Sequence, residues 1–222
     1  MIPRIKICGI KHPEHIRTAV QAGADAIGLN FIPPSSRYVG GIQEAKQLIK
    51  DSAVPDVQWA GVFVNPDYDE LKILLAALDL QIIQLHGNEC PDFVRKVKAR
   101  VPHAQVWKAF RIDTAKDLEA IADYVCDGVV VDAKVAGTFG GTGHTFDWHV
   151  LEKWPRCAPL ILSGGLTPAN VATAIQITAP DWVDVASGVE SLPGEKCHEK
   201  IKAFIHEVKS AAGPASTAFQ NP

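Results

Sequence analysis

The chain lacks an excess of basic residues, and it lacks any apolar run long enough to cross a membrane. Its 222 residues carry 22 Lys and Arg against 25 Asp and Glu, which gives a net charge of −3. Proteins that bind nucleic acid or anionic membranes generally need a surplus of positive charge, so neither partner is expected. No apolar run reaches the ~18 residues of a membrane span. An anionic small molecule is still a possible ligand, because a few local donors can hold one.

The cysteine patterns of disulfide frameworks and zinc sites are also missing. The number of cysteines is odd, and no two of them are spaced as C-x-x-C. The first ten residues, MIPRIKICGI, do not have the layout of a signal peptide. We therefore expect no disulfides, no metal and a cytoplasmic protein in a reducing compartment. The cysteines are Cys8, Cys90, Cys126, Cys157 and Cys197.

Short apolar runs alternate with longer helical patterns along the chain. The runs are rich in Val, Ile and aromatic residues, which is typical of buried parallel strands. They lie at 4–8, 26–31, 57–64, 81–85, 105–110, 128–132, 159–162 and 182–186. The helical patterns lie at 13–22, 43–50, 67–77, 91–99, 115–122, 148–153, 168–177 and 195–208.

Eight repeats of strand and helix predict an α/β fold, a closed (β/α)8 TIM barrel. Dividing 222 residues by eight gives about 28, the length that a strand, a helix and two short loops require. An open doubly wound sheet is the alternative, but it usually has fewer strands, and no G-x-G-x-x-G turn follows the first strand here. We assign 1–212 to one barrel domain and 213–222 to a disordered tail.

Two strand ends carry groups that could do acid–base chemistry, since barrels of this kind place their chemistry at the carboxyl ends of the strands. The Cys8 thiol could act as a base or nucleophile, although most free cysteines are small buried hydrophobes. Asp132 ends an apolar strand, where a carboxylate is costly to bury without partners. It could instead cap a helix, but no helical pattern follows for about 15 residues.

Glycine-bearing segments follow the last three predicted strands and suggest a phosphate site. Barrels often bind phosphate at the loops after strands seven and eight, and glycine lets backbone N–H groups approach the oxygens. The segment after strand six is long and rich in glycine, but it is not a Walker loop. Plain tight turns are the alternative interpretation. The residues concerned are Gly141, Gly164, Gly165, Ser187 and Gly188.

Further polar side chains lie within or after the strands. Arg37, in the loop after strand two, could grip a substrate carboxylate with two hydrogen bonds, although most loop arginines are solvated. Lys6, Lys108 and Asp184 are charges inside strands, and they must pair with one another if they face the barrel interior. His86, after strand four, is more simply interpreted as a structural histidine. We expect Lys6, His86, Lys108 and Asp184 to support the catalytic groups.

Motifs at nearly every strand end resemble those of the phosphoribosylanthranilate isomerase family, and the likeness covers about 4–209. They are KICGI at 6–10, FIPPSSRYV at 31–39, GVFVN at 61–65, QLHGNE at 84–89, VD at 131–132, GGTGHTFDW at 140–148, LSGGLTPANV at 162–171 and DVASGVESLPGEK at 184–196. The chain departs from the family at Lys11 and Cys197, where threonine and aspartate are common. Neither position touches the proposed acid, base or phosphate donors.

This resemblance implies a barrel enzyme of tryptophan biosynthesis that uses no metal and no organic cofactor. The implied reaction is an Amadori rearrangement of a small phosphosugar, N-(5-phosphoribosyl)anthranilate, to 1-(2-carboxyphenylamino)-1-deoxyribulose 5-phosphate. By resemblance, Cys8 is the general base and Asp132 the general acid. Arg37 holds the anthranilate carboxylate, and the glycine-bearing loops six, seven and eight take the phosphate.

The chemistry needs a thiolate and a protonated carboxyl group at the same time. Ordinary values of ~8.5 for cysteine and ~3.9 for aspartate give the opposite charge states at neutral pH. We therefore expect the site to desolvate Asp132 and to surround Cys8 with positive charge, such as that of Lys6.

Two other functions fit part of the pattern. A related phosphosugar aldose–ketose isomerase would end its first strand with aspartate, which Cys8 argues against. A catalytically silent barrel that binds a phosphate ligand would need neither Cys8 nor Asp132. A monomer and a homodimer both fit the fold.

Overall fold

Eight parallel strands close into a barrel in which each strand pairs with the next and the eighth returns to the first. The computed structural model describes residues 2–133, 147–154 and 157–211. The predicted (β/α)8 barrel is confirmed, whereas the predicted tail lies outside the described residues. The strands are β1 (Arg4–Cys8), β2 (Ala26–Asn30), β3 (Gln58–Phe63), β4 (Ile82–Leu85), β5 (Gln105–Ile112), β6 (Gly128–Ala133), β7 (Leu160–Leu162) and β8 (Trp182–Val185).

Helices follow most strands and pack outside the barrel. The α-helices are α1 (Pro13–Ala22), α2 (Ile42–Ser52), α3 (Tyr68–Ala77), α4 (Pro91–Arg100), α5 (Val171–Thr178) and α6 (His198–Ala211). The helical patterns after β5 and β6 form 3-10 segments instead, Ala115–Asp123 and Trp148–Lys153. None of the helices in the described ranges has the length and apolar character that a bilayer crossing requires.

Two predicted helix starts are wrong, and both lie close to the candidate site. Helix α5 begins at Val171 rather than at 168, because Asn170 closes a turn ahead of it. The Asn170 side chain accepts from the N–H of Thr167 at 2.8 Å and donates to the carbonyl of Gly165 at 3.0 Å.

Helix α6 begins at His198 rather than at 195, because the residues before it form a hairpin. A 3-10 turn, Ser187–Val189, follows β8 and leads into β9 (Glu190–Leu192), which pairs antiparallel with β10 (Glu195–Lys196).

Successive side chains along each strand point alternately to the helices and to the barrel interior, and this separates two apolar cores. On β1, Ile5 and Ile7 belong to the large cluster between strands and helices, so the intervening Lys6 and the following Cys8 face the barrel interior. A smaller apolar cluster fills the interior near the amino ends of the strands. In it the rings of Trp107 and Trp182 pack edge to face, with their centroids 5.0 Å apart. This apolar layer leaves the carboxyl ends of the strands for polar side chains.

Candidate active site

Cys8 is the last residue of β1 and Asp132 is the last but one of β6, and these two strands stand on different sides of the barrel mouth. Strands β7 and β8 separate them on one side of the barrel, and β2 to β5 separate them on the other. Both side chains are almost fully buried, with 8% of Cys8 and 3% of Asp132 exposed. The strand ends therefore present a thiol and a carboxyl group across one shared mouth, as expected from the sequence.

Cys8 sits beside a buried ion pair formed by Lys6 and Asp184. The register places these two residues directly opposite each other on β1 and β8, and Lys6 Nζ lies 2.8 Å from Asp184 Oδ2. The pairing expected between these two strand charges is confirmed. Space for the thiol comes from Gly28 on β2, where an added Cβ would lie 2.8 Å from the Cys8 sulfur.

Burial raises the pKa of the Cys8 thiol. Lys6 lowers it, Asp184 raises it and Lys196 lowers it, and the net pKa shift is upward. The positive charge expected around Cys8 is supplied by Lys6 and Lys196, but desolvation is the larger effect on the thiol and Asp184 offsets part of the effect of Lys6. Burial also lowers the pKa of Lys6, but Asp184 and Cys8 raise it more, so Lys6 stays a cation.

Asp132 lies against His86, which the sequence favoured as structural. The distance from His86 Nε2 to Asp132 Oδ2 is 3.2 Å, and Gln84 Nε2 lies 2.9 Å from His86 Nδ1. If the Gln84 amide donates to Nδ1, the histidine proton is on Nε2 and is donated to Asp132. The structure thus gives Asp132 a side-chain hydrogen-bond partner from the residue that follows β4.

Lys108 pairs with Glu89, on the outer side of β5. Its neighbours Trp107 and Ala109 face the interior, so Lys108 faces the helices and does not meet Lys6 or Asp184. It lies 3.2 Å from the buried Glu89 and donates to the carbonyl of Gly87 at 2.9 Å. Burial lowers the pKa of Lys108, although Glu89 opposes that shift. Lys108 therefore fixes the loop after β4, which begins with His86.

Arg37 is held by a carboxylate of the protein itself. Its Nε and Nη2 donate to the two oxygens of Glu190, each at 2.7 Å. Lys196 Nζ donates to the same Glu190 at 2.7 Å and to the carbonyl of Ala186 at 2.9 Å. The Arg37 stem packs on Gly9, where an added Cβ would lie 2.7 Å from Cδ.

Several residues of this site were missed from the sequence. Gln84, Glu89, Glu190 and Lys196 are all buried and polar. The first three contact His86, Lys108 and Arg37, which were predicted, and Lys196 contacts Glu190. The available signal was their position, because each lies within a motif that already contained a predicted residue. Three of them are two or three positions from that residue, and Lys196 is eight positions from Gly188.

The turns after β7 and β8 pack against each other. Gly164 and Gly165 both have positive φ, at 82° and 67°, a conformation that favours glycine. An added Cβ at Gly188 would lie 1.8 Å from the carbonyl oxygen of Leu166, so that position also excludes a side chain. Ser187 begins the 3-10 turn. The predicted phosphate residue Gly141 lies outside the described residues.

Two of the cavities at this end of the barrel are lined by candidate site residues. One, of about 310 Å³, is lined by His86, Arg111, Tyr124 and Asp132 among others. The other, of about 400 Å³, is lined by residues that include Arg37, Ser187, Glu190 and Leu192. A third cavity, of about 630 Å³, lies among the amino ends of β5 and β6 and includes Gln105, away from these side chains. In the described ranges, no three His, Cys, Asp or Glu side chains are grouped as a metal site would require.

Comparison with known proteins agrees with this arrangement. The family model described as N-(5'-phosphoribosyl)anthranilate (PRA) isomerase matches residues 5–207. A protein of Trichlorobacter lovleyi named N-(5'-phosphoribosyl)anthranilate isomerase is 43% identical over 209 residues, which covers 94% of this chain and 98% of the relative.

Two solved structures are similar over nearly the whole chain. One shows monomers generated from the dimeric phosphoribosylanthranilate isomerase of Thermotoga maritima, with a TM-score of 0.82, 36% identity and coverage of 94% and 99%. The other is a phosphoribosyl anthranilate isomerase in complex with reduced 1-(O-carboxyphenylamino)-1-deoxyribulose 5-phosphate, with a TM-score of 0.81, 34% identity and the same coverage. On these matches, the chain belongs to the N-(5'-phosphoribosyl)anthranilate isomerase family.

Proposed function

We propose that this chain performs the isomerisation of its family by general acid–base catalysis, with Asp132 as the acid and Cys8 as the base. The chain is an enzyme of tryptophan biosynthesis, and its reaction converts N-(5'-phosphoribosyl)anthranilate to 1-(2-carboxyphenylamino)-1-deoxyribulose 5-phosphate. The observation that carries the proposal is the burial of a thiol and a carboxyl group at β1 and β6, across one barrel mouth.

The first step opens the sugar ring. Asp132 gives its proton to the ring oxygen, the bond between that oxygen and C1 breaks, and the nitrogen lone pair forms a C1=N iminium. The aspartate is left as a carboxylate, and His86 at 3.2 Å is placed to donate to it. Proton transfer of this kind typically contributes ~10²–10⁴ to the rate.

The second step moves hydrogen from C2 to C1. The iminium acidifies the C2 proton, which the Cys8 thiolate takes, and the C2–H electrons form an enolamine. Loss of the hydroxyl proton from this enolamine and protonation at C1 give the ketone. Lys6, two residues before Cys8 on the same face of β1, is the cation that supports the thiolate, and Asp184 holds Lys6 in place.

The two charged groups of the substrate are assigned to different residues at the mouth. We assign the anthranilate carboxylate to Arg37 and the phosphate to the backbone N–H groups of the turns at Gly164–Gly165 and Ser187–Gly188. The packing of these turns against each other supports a single anion site. Gly141 remains a predicted contributor.

The experiment is turnover of the natural substrate by the purified protein, followed as loss of anthranilate fluorescence. Consumption by the wild type and its loss in Cys8→Ser and Asp132→Asn would support the proposal. Substrate that persists with folded wild-type protein would overturn it. We expect a chelator to leave turnover unchanged, since each proton transfer is assigned to a side chain. A cytoplasmic location and a monomeric or homodimeric state remain predictions, the second testable by light scattering.

A further inference from the structure

Arg37 has one edge of its guanidinium occupied before any substrate carboxylate is considered. A guanidinium has five N–H donors and can make two paired contacts, one through Nε and a terminal nitrogen and one through both terminal nitrogens. Glu190 takes the first of these edges, with both distances at 2.7 Å. Among the residues that the structure describes, the edge formed by the two terminal nitrogens is the one left for a second carboxylate.

Glu190 is buried and uses both of its oxygens. Only 7% of the residue is exposed. Its Oε1 accepts from Arg37 and Lys196, and its Oε2 accepts from Arg37. Burial raises the pKa of Glu190, but Arg37 and Lys196 lower it more, so the net shift is downward and the group is ionised at neutral pH. One carboxylate between two cations leaves a single positive charge, which matches one anthranilate carboxylate.

The same network reaches the turn assigned to the phosphate. Lys196 also donates to the carbonyl of Ala186, the residue before Ser187. The hairpin that bears Glu190 and Lys196 packs on the loop of Arg37, since an added Cβ at Gly194 would lie 2.3 Å from the carbonyl oxygen of Ser36. Glu190 and Lys196 therefore connect Arg37, in the loop after β2, to the turn that follows β8.

We propose that Glu190 is a positioning residue that fixes the plane of the Arg37 guanidinium, so that its free edge meets the ortho carboxylate of the substrate at a set distance from the phosphate turn. This inference rests on the proposed function, because it takes Arg37 as the carboxylate ligand. On this inference, Glu190 is a specificity residue: it makes the protein prefer a phosphosugar that carries an aryl carboxylate to one that lacks it.

The test measures how strongly the protein prefers a ligand with that carboxylate. Two stable ligands are titrated by calorimetry: reduced 1-(o-carboxyphenylamino)-1-deoxyribulose 5-phosphate, and the same compound made with aniline in place of anthranilate. For the wild type we expect the carboxylate to improve affinity by about 10–150-fold, the range for one charge-assisted contact. In Glu190→Gln the affinities for the two ligands should differ by no more than about threefold. The affinity for the aniline compound should stay at its wild-type value.

Four further variants complete the experiment. Arg37→Ala should lose the preference as fully as Glu190→Gln, and the double variant should lose no more, because both residues act through one contact. Glu195→Gln is the matched control: it changes a half-buried glutamate of the same hairpin, which pairs with Lys11 and His12. It should keep the wild-type preference. Should Glu190→Gln fail to fold, Glu190→Gln/Lys196→Met removes the unpaired lysine as well and should show the same loss.

The outcomes separate this inference from the function itself. If the wild type turns over its substrate and Glu190→Gln keeps or increases the preference, Glu190 does not position Arg37 and the inference is wrong. An increase would mean that Glu190 competes with the substrate for the guanidinium. If the wild type neither turns over the substrate nor binds either ligand, the proposed function is wrong and the inference falls with it.

Discussion

Lys6 and Asp184 face each other across the seam where β8 closes on β1, with Nζ and Oδ2 2.8 Å apart and both side chains almost fully buried. A buried pair of this kind gives little net stability compared with apolar residues of similar size, but removal of one partner leaves an uncompensated charge. Cys8 lies on the same face of β1, where Lys6 lowers its pKa and Asp184 raises it. The pair therefore sets how readily the thiol ionises.

Lys6→Met should lower turnover about 10–100-fold. Without Lys6 the pKa of Cys8 rises further, and each unit of that rise lowers the fraction of Cys8 present as thiolate about tenfold. Lys6→Met/Asp184→Asn should recover part of the loss, since it also removes the carboxylate that opposes ionisation. The measurement is kcat for the three proteins, with circular dichroism to confirm folding. Equal kcat in all three would show that the pair has no part in activating Cys8.

The pH dependence follows from one shared proton. Catalysis needs the proton on Asp132 and not on Cys8, so activity is constant while the two groups together hold one proton and falls when that proton is lost. Since burial raises the pKa of Cys8, the alkaline fall of kcat/KM should have its midpoint above that of an ordinary cysteine, and Lys6→Met should move it higher still. A fall centred near neutral pH would contradict the raised pKa.

Arg37→Ala should raise KM by about 10–150-fold, the cost of one lost charged hydrogen-bond partner, with a smaller effect on kcat. The matched control is Arg95→Ala, which removes an exposed arginine of α4 that pairs with Asp92. Steady-state kinetics of the two variants distinguish carboxylate binding from a general loss of positive charge. Normal substrate affinity in Arg37→Ala would exclude it from the carboxylate site.

Cys8→Asp should retain more activity than Cys8→Ser, because a carboxylate at the end of β1 can still serve as a base whereas a serine hydroxyl ionises far less readily than a thiol. The comparison uses kcat at one pH for both variants. If Cys8→Ser were the faster of the two, size and packing at this position would matter more than basicity.

The strand ends could be read from the sequence, but the partners of their side chains could not. Alternation along β1 places Lys6 and Cys8 on one face, and closure of the barrel brings β8 alongside, so the contact with Asp184 follows once the fold is known. The partner of Lys108 could not be predicted in this way, because its side of β5 depends on the register set by the interior Trp107. Only that register shows that it meets Glu89.

The hairpin after β8 explains why Glu190, Lys196 and the true start of α6 were not predicted. Its two short strands carry no periodic signal, and Glu195 continues the helical pattern of α6, so a helix was predicted where β10 lies. The contact between Glu190 and Arg37 spans 153 positions in the sequence. It arises only because the hairpin folds back over the loop after β2.

The central claim, that Cys8 and Asp132 are the base and the acid, is tested most directly by the turnover number of Cys8→Ser and Asp132→Asn on N-(5'-phosphoribosyl)anthranilate, measured by fluorescence beside the wild type. An amide cannot deliver the proton of a carboxyl group, and a serine is a poor base, so each variant should lose ~10²-fold or more while keeping its fold. Turnover near the wild-type rate in either folded variant would contradict the assignment of that residue.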